Sequence, residues 1–344
     1  MKNDMENVTH INDTYSRPIR DLRISVTDRC NFRCTYCMPK EVFNSGYEFL
    51  RRDDLLTFEE ITRISKVFAT MGVKKIRLTG GEPLLRKNIP VLIEQLADIE
   101  SIEDISLTTN GVLLTKNLAT DLKSAGLNRI TISLDALDNE TFQAISDVSY
   151  NVDQVLQGID NAASVGLTPI KINMVVKKGI NEHSILPMAK YFKETNNILR
   201  YIEYMDVGNT NHWQLKDVYS ASDIIDTLSQ HFEIEPAEAN YIGEVAKRWR
   251  YKDSGGEFGI ISSVTQPFCQ NCTRIRLSAE GKIYTCLFAA QGHDLRYLIR
   301  EGADNNYIAE VIRSIWMKRD DRYSEIRSSN TVLMPKVEMS YIGG

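Results

Sequence analysis

Six cysteines carry the most chemistry in this chain, and they fall into two triplets with none left over. Cys30, Cys34 and Cys37 have the spacing Cys-x3-Cys-x2-Cys, and Cys269, Cys272 and Cys286 have the spacing Cys-x2-Cys-x13-Cys. A cubane iron–sulfur cluster needs one outer ligand on each of its four irons, usually a thiolate. Three thiolates leave one iron open to a small molecule, as catalytic zinc sites keep a position open. Two triplets therefore point to two clusters, each with a vacant site. Structural zinc is the alternative, with histidine as fourth ligand. Of His10, His183, His212, His231 and His293, none flanks the first triplet, whereas His293 lies seven residues after Cys286. Single inert thiols are common in protein cores, but two spaced triplets do not read that way.

Basic residues form the second pattern. Arg23, Lys75, Arg77, Lys171 and Arg200 all fall on expected strands or their edges. A buried base is costly unless paired, so each needs either an acid such as Glu82, Glu203 or Asp206, or an anionic ligand. Arginine grips phosphate bidentately and lysine acts as a point charge. By contrast, Lys247-Arg248-Trp249-Arg250 reads as a solvated face.

The elements that must position these residues alternate. Expected strands are Leu22–Thr27, Lys74–Thr79, Asp104–Thr109, Arg129–Asp135, Ile170–Val176 and Arg200–Met205, short runs rich in Ile, Val and Leu. Helices fall between them. Residues 57–72 place Ile61, Ile64, Val67, Phe68 and Met71 on one face, with Thr57 and Glu60 forming a capping box. Asn88 is placed to cap the next helix, with Pro90 in its first turn, and residues 152–165 and 181–195 also read as helical. Six βα units fall short of the eight that close a barrel. The expected fold is therefore α/β, an open six-unit partial βα barrel, with reactive residues at the C-terminal ends of the strands. An N-terminal segment 1–19, the barrel 20–208, and a less regular C-terminal region 209–344 with one amphipathic helix at 221–231 complete the division.

The chain has 344 residues and a formal net charge of -5. That balance argues against nonspecific nucleic-acid binding and leaves room for a local basic pocket. Met1 to Tyr15 is polar and lacks an apolar core segment, and no apolar run approaches the ~20 residues that span a bilayer. A cytoplasmic location, with no membrane and no nucleic-acid partner, is the expectation. In a reducing compartment grouped cysteines indicate metal or catalysis.

Cys30-x3-Cys34-x2-Cys37, with Tyr36 before the last cysteine, resembles the signature of the radical S-adenosylmethionine superfamily. Gly80-Gly81-Glu82-Pro83 after the second strand resembles that superfamily's motif for the methionine amino group. Ser133 and Met205, with Tyr36 and Gly81, match positions that contact S-adenosylmethionine. A narrower resemblance, from about Arg17 to Gly344, is to the GTP 3′,8-cyclase family of molybdenum-cofactor biosynthesis. It rests on Asp21-Leu22-Arg23, Cys269-x2-Cys272-x-Arg274-x-Arg276, Cys286 and the terminal Gly343-Gly344. The resemblance implies two [4Fe-4S] clusters and S-adenosylmethionine as cofactors. It implies GTP contacts at Arg23, Arg77, Thr108, Lys171, Arg274, Ile275 and Arg276, and catalytic roles for Arg23, Gly343 and Gly344. Its implied partners are GTP, an electron donor of the reduced flavodoxin or ferredoxin type, and the next enzyme of the cofactor pathway. Family members are often dimeric.

The implied reaction begins with one-electron reduction of the N-terminal cluster and cleavage of S-adenosylmethionine to methionine and a 5′-deoxyadenosyl radical. That radical takes hydrogen from C3′ of GTP, and the new radical attacks C8 of the same guanine. Reduction then gives (8S)-3′,8-cyclo-7,8-dihydroguanosine 5′-triphosphate, the substrate being held by the second cluster's open iron and by cations. The alternatives are a radical enzyme acting on a peptide or another small molecule, and a non-enzymatic iron–sulfur or zinc module. If each triplet holds its own cluster, replacing Cys30, Cys34 and Cys37 together by Ala should remove about half the iron and all cleavage of S-adenosylmethionine. Iron and sulfide analysis after anaerobic reconstitution checks this.

Overall fold

The computed structural model describes residues 11–241, 243–253, 256–328 and 334–343. The six expected strands are present as β1 (Asp21–Ser25), β2 (Lys75–Thr79), β3 (Asp104–Thr109), β4 (Arg129–Ser133), β5 (Lys171–Val176) and β6 (Ile198–Glu203). Between them lie α1 (Phe58–Thr70), α2 (Ile89–Ala97), α3 (Lys116–Ser124), α4 (Asn139–Ser146), α5 (Val152–Ser164) and α6 (Ile185–Lys193). The capping box that opens α1 is formed as expected, with Glu60 N–H donating to Thr57 Oγ1 and Thr57 N–H to Glu60 Oε2. Asn88 does stand before α2, but its left-handed backbone (φ 62°) leaves its side chain making no capping bond.

Neighbouring strands from β1 to β6 pair in parallel, in chain order. Their side chains alternate. Leu22, Ile24, Ile76, Leu78, Ile105, Leu107, Ile130, Ile132, Ile172 and Met174 are buried against the helices. The opposite face carries Arg23, Arg77, Ser106, Arg129, Thr131, Lys171, Asn173 and Arg200, which face inwards, as the two-residue period of a strand requires. The sheet thus has one apolar face and one polar concave face, where a filled barrel would have two apolar layers.

The C-terminal region continues this sheet at both edges. After α7 (Ala221–Ser229) come β7 (Ile234–Ala237), β8 (Lys247–Tyr251) and β9 (Glu257–Ile261); β9 lies parallel to β6, and β8 and β7 follow antiparallel. The chain then crosses to the other edge. There β10 (Arg274–Leu277) lies parallel to β1, with β11 (Lys282–Tyr284) and β12 (His293–Asp294) antiparallel beyond it. Helices α8 (Leu295–Arg300) and α9 (Asn305–Met317) cover that edge, and α10 (Met339–Ile342) returns to β1. The ends of the order, β12 and β7, do not pair, so the barrel is open. Among the described residues no helix is long and apolar enough to cross a membrane.

One carboxylate ties the C-terminal region to the barrel. Glu203, fully buried at the end of β6, accepts from Ala221 N–H at the start of α7 and from Val264 and Thr265 N–H beyond β9, at 2.8–2.9 Å. A buried donor left without its acceptor costs about 1–3 kcal/mol. Glu203→Ala strands three of them and should lower unfolding stability by at least about 2 kcal/mol, read as a shift of the denaturant midpoint.

Candidate active site

The first triplet sits on the loop that leaves β1. Cys37 and Met38 N–H both donate to Cys34 O at 2.9 and 2.8 Å, which turns the loop back on itself. Arg33 fixes it from within, Nη1 donating to Cys30 O at 2.7 Å and Nε to Phe43 O at 2.8 Å. Backbone bonds from Arg33 to Ser146 and from Thr35 to Ile145 anchor it on the end of α4. Gly81 and Glu82 N–H donate to Thr27 O and Arg29 O at 2.8 Å. A Cβ on Gly81 would lie 2.3 Å from Arg29 O. The space this glycine leaves is therefore filled by the cysteine loop itself, whereas the sequence pattern assigns it to ligand approach.

Burial pushes the Cys30 thiol up to about 12 and holds Cys34 and Cys37 well above the usual thiol range. Three thiolates there need a cationic partner on sulfur, which iron supplies. Glu82 is not paired with a base among the described residues. It accepts from Leu84 and Asn110 N–H and from Thr109 Oγ1, while burial raises it to about 7.

The second triplet brackets the β10–β11 hairpin. Cys269 and Cys272 precede β10 and Cys286 follows β11, so antiparallel pairing of Arg276 with Tyr284 brings them to the same end. Burial opposes ionisation of Cys272. The guanidiniums of Arg274 and Arg319 outweigh it and bring the thiol down to about 6; Arg274 donates to Cys272 Sγ through Nε and Nη2 at 3.3 and 3.2 Å. Cys286, buried and near Asp321, is pushed up to about 12. Among the described residues no three His, Cys, Asp or Glu side chains converge as they would around a single ion. Thiolates of a cubane sit on separate irons and need not converge on one point.

One cavity of about 360 Å³ joins the two triplets across the concave face. All six cysteines line it, with Tyr36, Gly81, Ser133 and Met205 towards the first triplet. Tyr36 Oη donates to Asp135 Oδ2 at 2.8 Å, and burial raises Asp135 to about 6. Between the triplets stand Arg23, Arg77, Thr108, Lys171, Arg200, Arg274 and Arg276. Arg276, Arg23 and Arg77 occupy the same level of three adjacent strands, β10, β1 and β2. Adjacent strands run about 4.8 Å apart, so three cations stand side by side. Burial first, then the Arg276, Arg77 and Arg274 charges, depress Arg23 well below the ordinary guanidinium range.

No carboxylate forms an ion pair with Arg23, Arg77, Lys171, Arg200 or Arg276 among the described residues. Glu203 and Glu82 bind backbone, and Asp206 pairs with Arg327 and Lys336. Thr108 Oγ1 and Arg200 Nε are buried without a partner among the described residues. A row of cations with no carboxylate partner among the described residues, lining one cavity, suits a polyanion.

Several expected residues stand elsewhere. Ile275 is fully buried in the core and is not among the residues that line the cavity. Lys75 lies at the bottom of the sheet, its Nζ 3.5 Å from the centroid of the Tyr241 ring. Gly343 gives its carbonyl to Arg276 Nη1, and its positive φ of 75° brings it against Thr79. Gly344 lies outside the described residues. Sequence reasoning missed Tyr241 and Glu244, whose loop joins β7 to β8 and lines the cavity, and Asp135. The polar alternation along β1 to β6 was the available signal for a hydrophilic interior.

Residues 24–192 match the radical SAM superfamily, and residues 197–325 match the family described as Molybdenum Cofactor Synthesis C. The fold has solved likenesses in Streptococcus suis SuiB bound to S-adenosylmethionine (TM-score 0.62, 18% identity, 91% of this chain and 69% of that chain) and bound to precursor peptide SuiA (TM-score 0.61, 18%, 90% and 67%). At that identity they speak to fold alone. Fold and cysteine loop together define a radical S-adenosylmethionine protein. The proteins named GTP 3′,8-cyclase from Acidothermus cellulolyticus and Staphylococcus haemolyticus are 50% and 51% identical to it, over 97% and 98% of this chain and 99% and 100% of theirs. The chain belongs to the GTP 3′,8-cyclase family.

Lys171 gives the cation row a pH signature. Burial, then the charges of Arg200, Arg129 and Arg77, lower it to about 8. Below that pH it is a cation; above it the charge is lost, and a bound polyphosphate would restore it. Inorganic triphosphate should therefore bind more weakly as pH rises from 7 to 9, with proton uptake near pH 8. Lys171→Met should abolish the uptake in calorimetry run in buffers of different ionisation enthalpy.

Proposed function

We propose that this chain converts GTP to (8S)-3′,8-cyclo-7,8-dihydroguanosine 5′-triphosphate, the first step of molybdenum-cofactor biosynthesis, with S-adenosylmethionine as radical source. The observation that carries the reading is one cavity with a cysteine triplet at either end and, between them, a row of cations that form no ion pair among the described residues. Cys30, Cys34 and Cys37 would hold one [4Fe-4S] cluster, with S-adenosylmethionine against Tyr36, Gly81, Ser133 and Met205. Cys269, Cys272 and Cys286 would hold a second, with the guanine at its open iron. When bound, the first cluster and S-adenosylmethionine supply a 5′-deoxyadenosyl radical able to abstract a hydrogen atom.

The chain's own residues supply position and charge. Arg23, Arg77, Lys171, Arg200 and Arg276 bind the triphosphate, and Thr108 Oγ1, buried without a partner among the described residues, joins them as a hydrogen-bonding group for the nucleotide. With the base fixed at one end and the phosphates along the sheet, the ribose lies between, facing the first triplet. Holding reactants in such an orientation can be worth about 7–11 kcal/mol of barrier. The bond from Arg276 to the Gly343 carbonyl brings Gly343 to the same cation row, and Arg23, Gly343 and Gly344 take the catalytic roles that the family resemblance implies. A flavodoxin- or ferredoxin-type donor, the next enzyme of the pathway, a cytoplasmic location and a homodimer complete the reading. So does the division into segments 1–19, 20–208 and 209–344.

The test is anaerobic reconstitution, then incubation with GTP, S-adenosylmethionine and dithionite, with products followed by mass spectrometry. The expected result is GTP-dependent 5′-deoxyadenosine and a cyclised triphosphate isomeric with GTP. Cleavage of S-adenosylmethionine indifferent to GTP, with no isomer, would defeat the reading. In the same assay, loss of Gly343 and Gly344 should leave both clusters and uncoupled cleavage in place while stopping cyclisation. Arg276→Ala should weaken GTP binding by about 1.5–3 kcal/mol, the range for a lost charge-assisted bond.

A further inference from the structure

The N-terminal segment before β1 is bound into the site through a group of buried charges that the reaction itself does not use. Asp13, Arg17 and Arg319 are each less than a tenth exposed. Asp13 Oδ1 accepts from the Tyr15 and Arg17 N–H groups at 2.9 Å. Its Oδ2 accepts from Arg17 Nε at 2.6 Å and from Arg319 Nη1 at 3.0 Å. The two guanidiniums, from opposite ends of the chain, thus share one carboxylate; Arg319 Nε also lies 3.3 Å from Asp321 Oδ2.

Their remaining donors go to one place. Arg17 Nη1 donates to Cys269 O at 2.8 Å and to Asp321 O at 2.9 Å. Arg319 Nη1 donates to Cys272 O at 2.9 Å, and its Nε to Thr285 O, the residue before Cys286, at 3.1 Å. Every cysteine of the second triplet is therefore tethered at its own carbonyl or its neighbour's by a buried guanidinium. The cradle is itself locked, since Trp316 Nε1 donates to Arg17 O at 3.0 Å and Thr14 Oγ1 to Arg319 O at 2.7 Å. Arg17 Nη2 is buried without a partner among the described residues and remains available as a donor.

We propose that Asp13, Arg17 and Arg319 are positioning residues for the second cysteine triplet, so that the N-terminal segment is a working part of the C-terminal iron–sulfur site. The physical case rests on which atoms are held. Cys269 and Cys272 lie at the two ends of one short 3₁₀ turn and Cys286 just beyond β11, so none of the three sits inside an α-helix or a strand that would fix its backbone. Outer partners of metal ligands commonly fix ligand orientation in this way. Charge-assisted bonds to carbonyls inside a low-dielectric core are stronger than their neutral equivalents and hold the donor close. A bare pair of arginines would be costly to bury, and Asp13, held by two backbone N–H groups, makes it tenable. The first triplet has a different support, in Arg33 and the end of α4. The two sites should therefore fail separately.

The proposal rests on the reading that the second triplet binds a cluster, and the experiment separates the two. Asp13→Asn and the pair Arg17→Gln with Arg319→Gln are made in the full chain. They are also made in a chain whose Cys30, Cys34 and Cys37 are Ala, where any iron belongs to the second triplet. Iron, sulfide and the electron paramagnetic resonance spectrum of the dithionite-reduced protein are measured after reconstitution. The expected result is a several-fold loss of iron, or a shifted spectrum, in the cysteine-substituted chain. In the full chain, cleavage of S-adenosylmethionine without GTP should stay within twofold, and Arg17→Lys with Arg319→Lys should restore part of the iron. Full iron with an unchanged spectrum would overturn the proposal, as would equal loss of both clusters, which would mean the triad serves the whole fold. No iron in the cysteine-substituted chain with its triad intact would remove the second cluster and the proposal together.

Discussion

Burying several like charges side by side without their counter-ions is the constraint around which this protein is organised. Arg276, Arg23 and Arg77 stand at one level of adjacent strands, with Lys171 and Arg200 farther along the same concave face. An apolar barrel would have no place for them, and a structural ion-pair network would supply acids. The acids that the sequence offered as partners are spent on backbone donors or on other bases: Glu82 on the β3 end, Glu203 on α7 and the loop after β9, Asp206 on Arg327 and Lys336. The cations are thereby left to a ligand, and their depressed proton affinities record the cost of keeping them there.

The open barrel follows from the same requirement. Six βα units alone would leave both sheet edges exposed. The C-terminal region covers them by adding β9 beside β6 and β10 beside β1, each parallel to its neighbour. The second addition matters chemically, because β10 brings Arg274 and Arg276 next to Arg23 and sets the second triplet across the cavity from the first. The two triplets are then held by unrelated supports. The first leans on Gly80-Gly81 and α4, and the second on guanidiniums from both ends of the chain.

Much of this was legible in the sequence because it depends on short-range pattern. The cysteine spacings, the capping box of α1, the six strands and helices α1, α2, α5 and α6 are local features, and each is found close to where the residues indicated; α3 and α4 were given no bounds of their own. The alternation of polar and apolar residues along β1 to β6 was also on the page. It was obscured because short runs rich in Ile, Val and Leu read equally well as strands buried on both faces. The Gly80-Gly81 pair shows the opposite case: the need for glycine was legible, but the atoms that demand it, those of Thr27 and Arg29, were not.

The sequence by itself determined the chemistry available to this protein: two sets of three thiols, several arginines and lysines on strands, and a tail of apolar residues followed by two glycines. Which cations lack partners, which carbonyls face a guanidinium, and that one cavity joins the two triplets were decided only by tertiary structure. The physical reason is distance along the chain. Asp13 meets Arg319, Arg17 meets Cys269, and Arg276 meets Gly343 through pairings between segments remote in sequence. Nothing in local propensity or spacing encodes such a pairing; it arises when β10 joins β1 and the two ends of the chain pack over it.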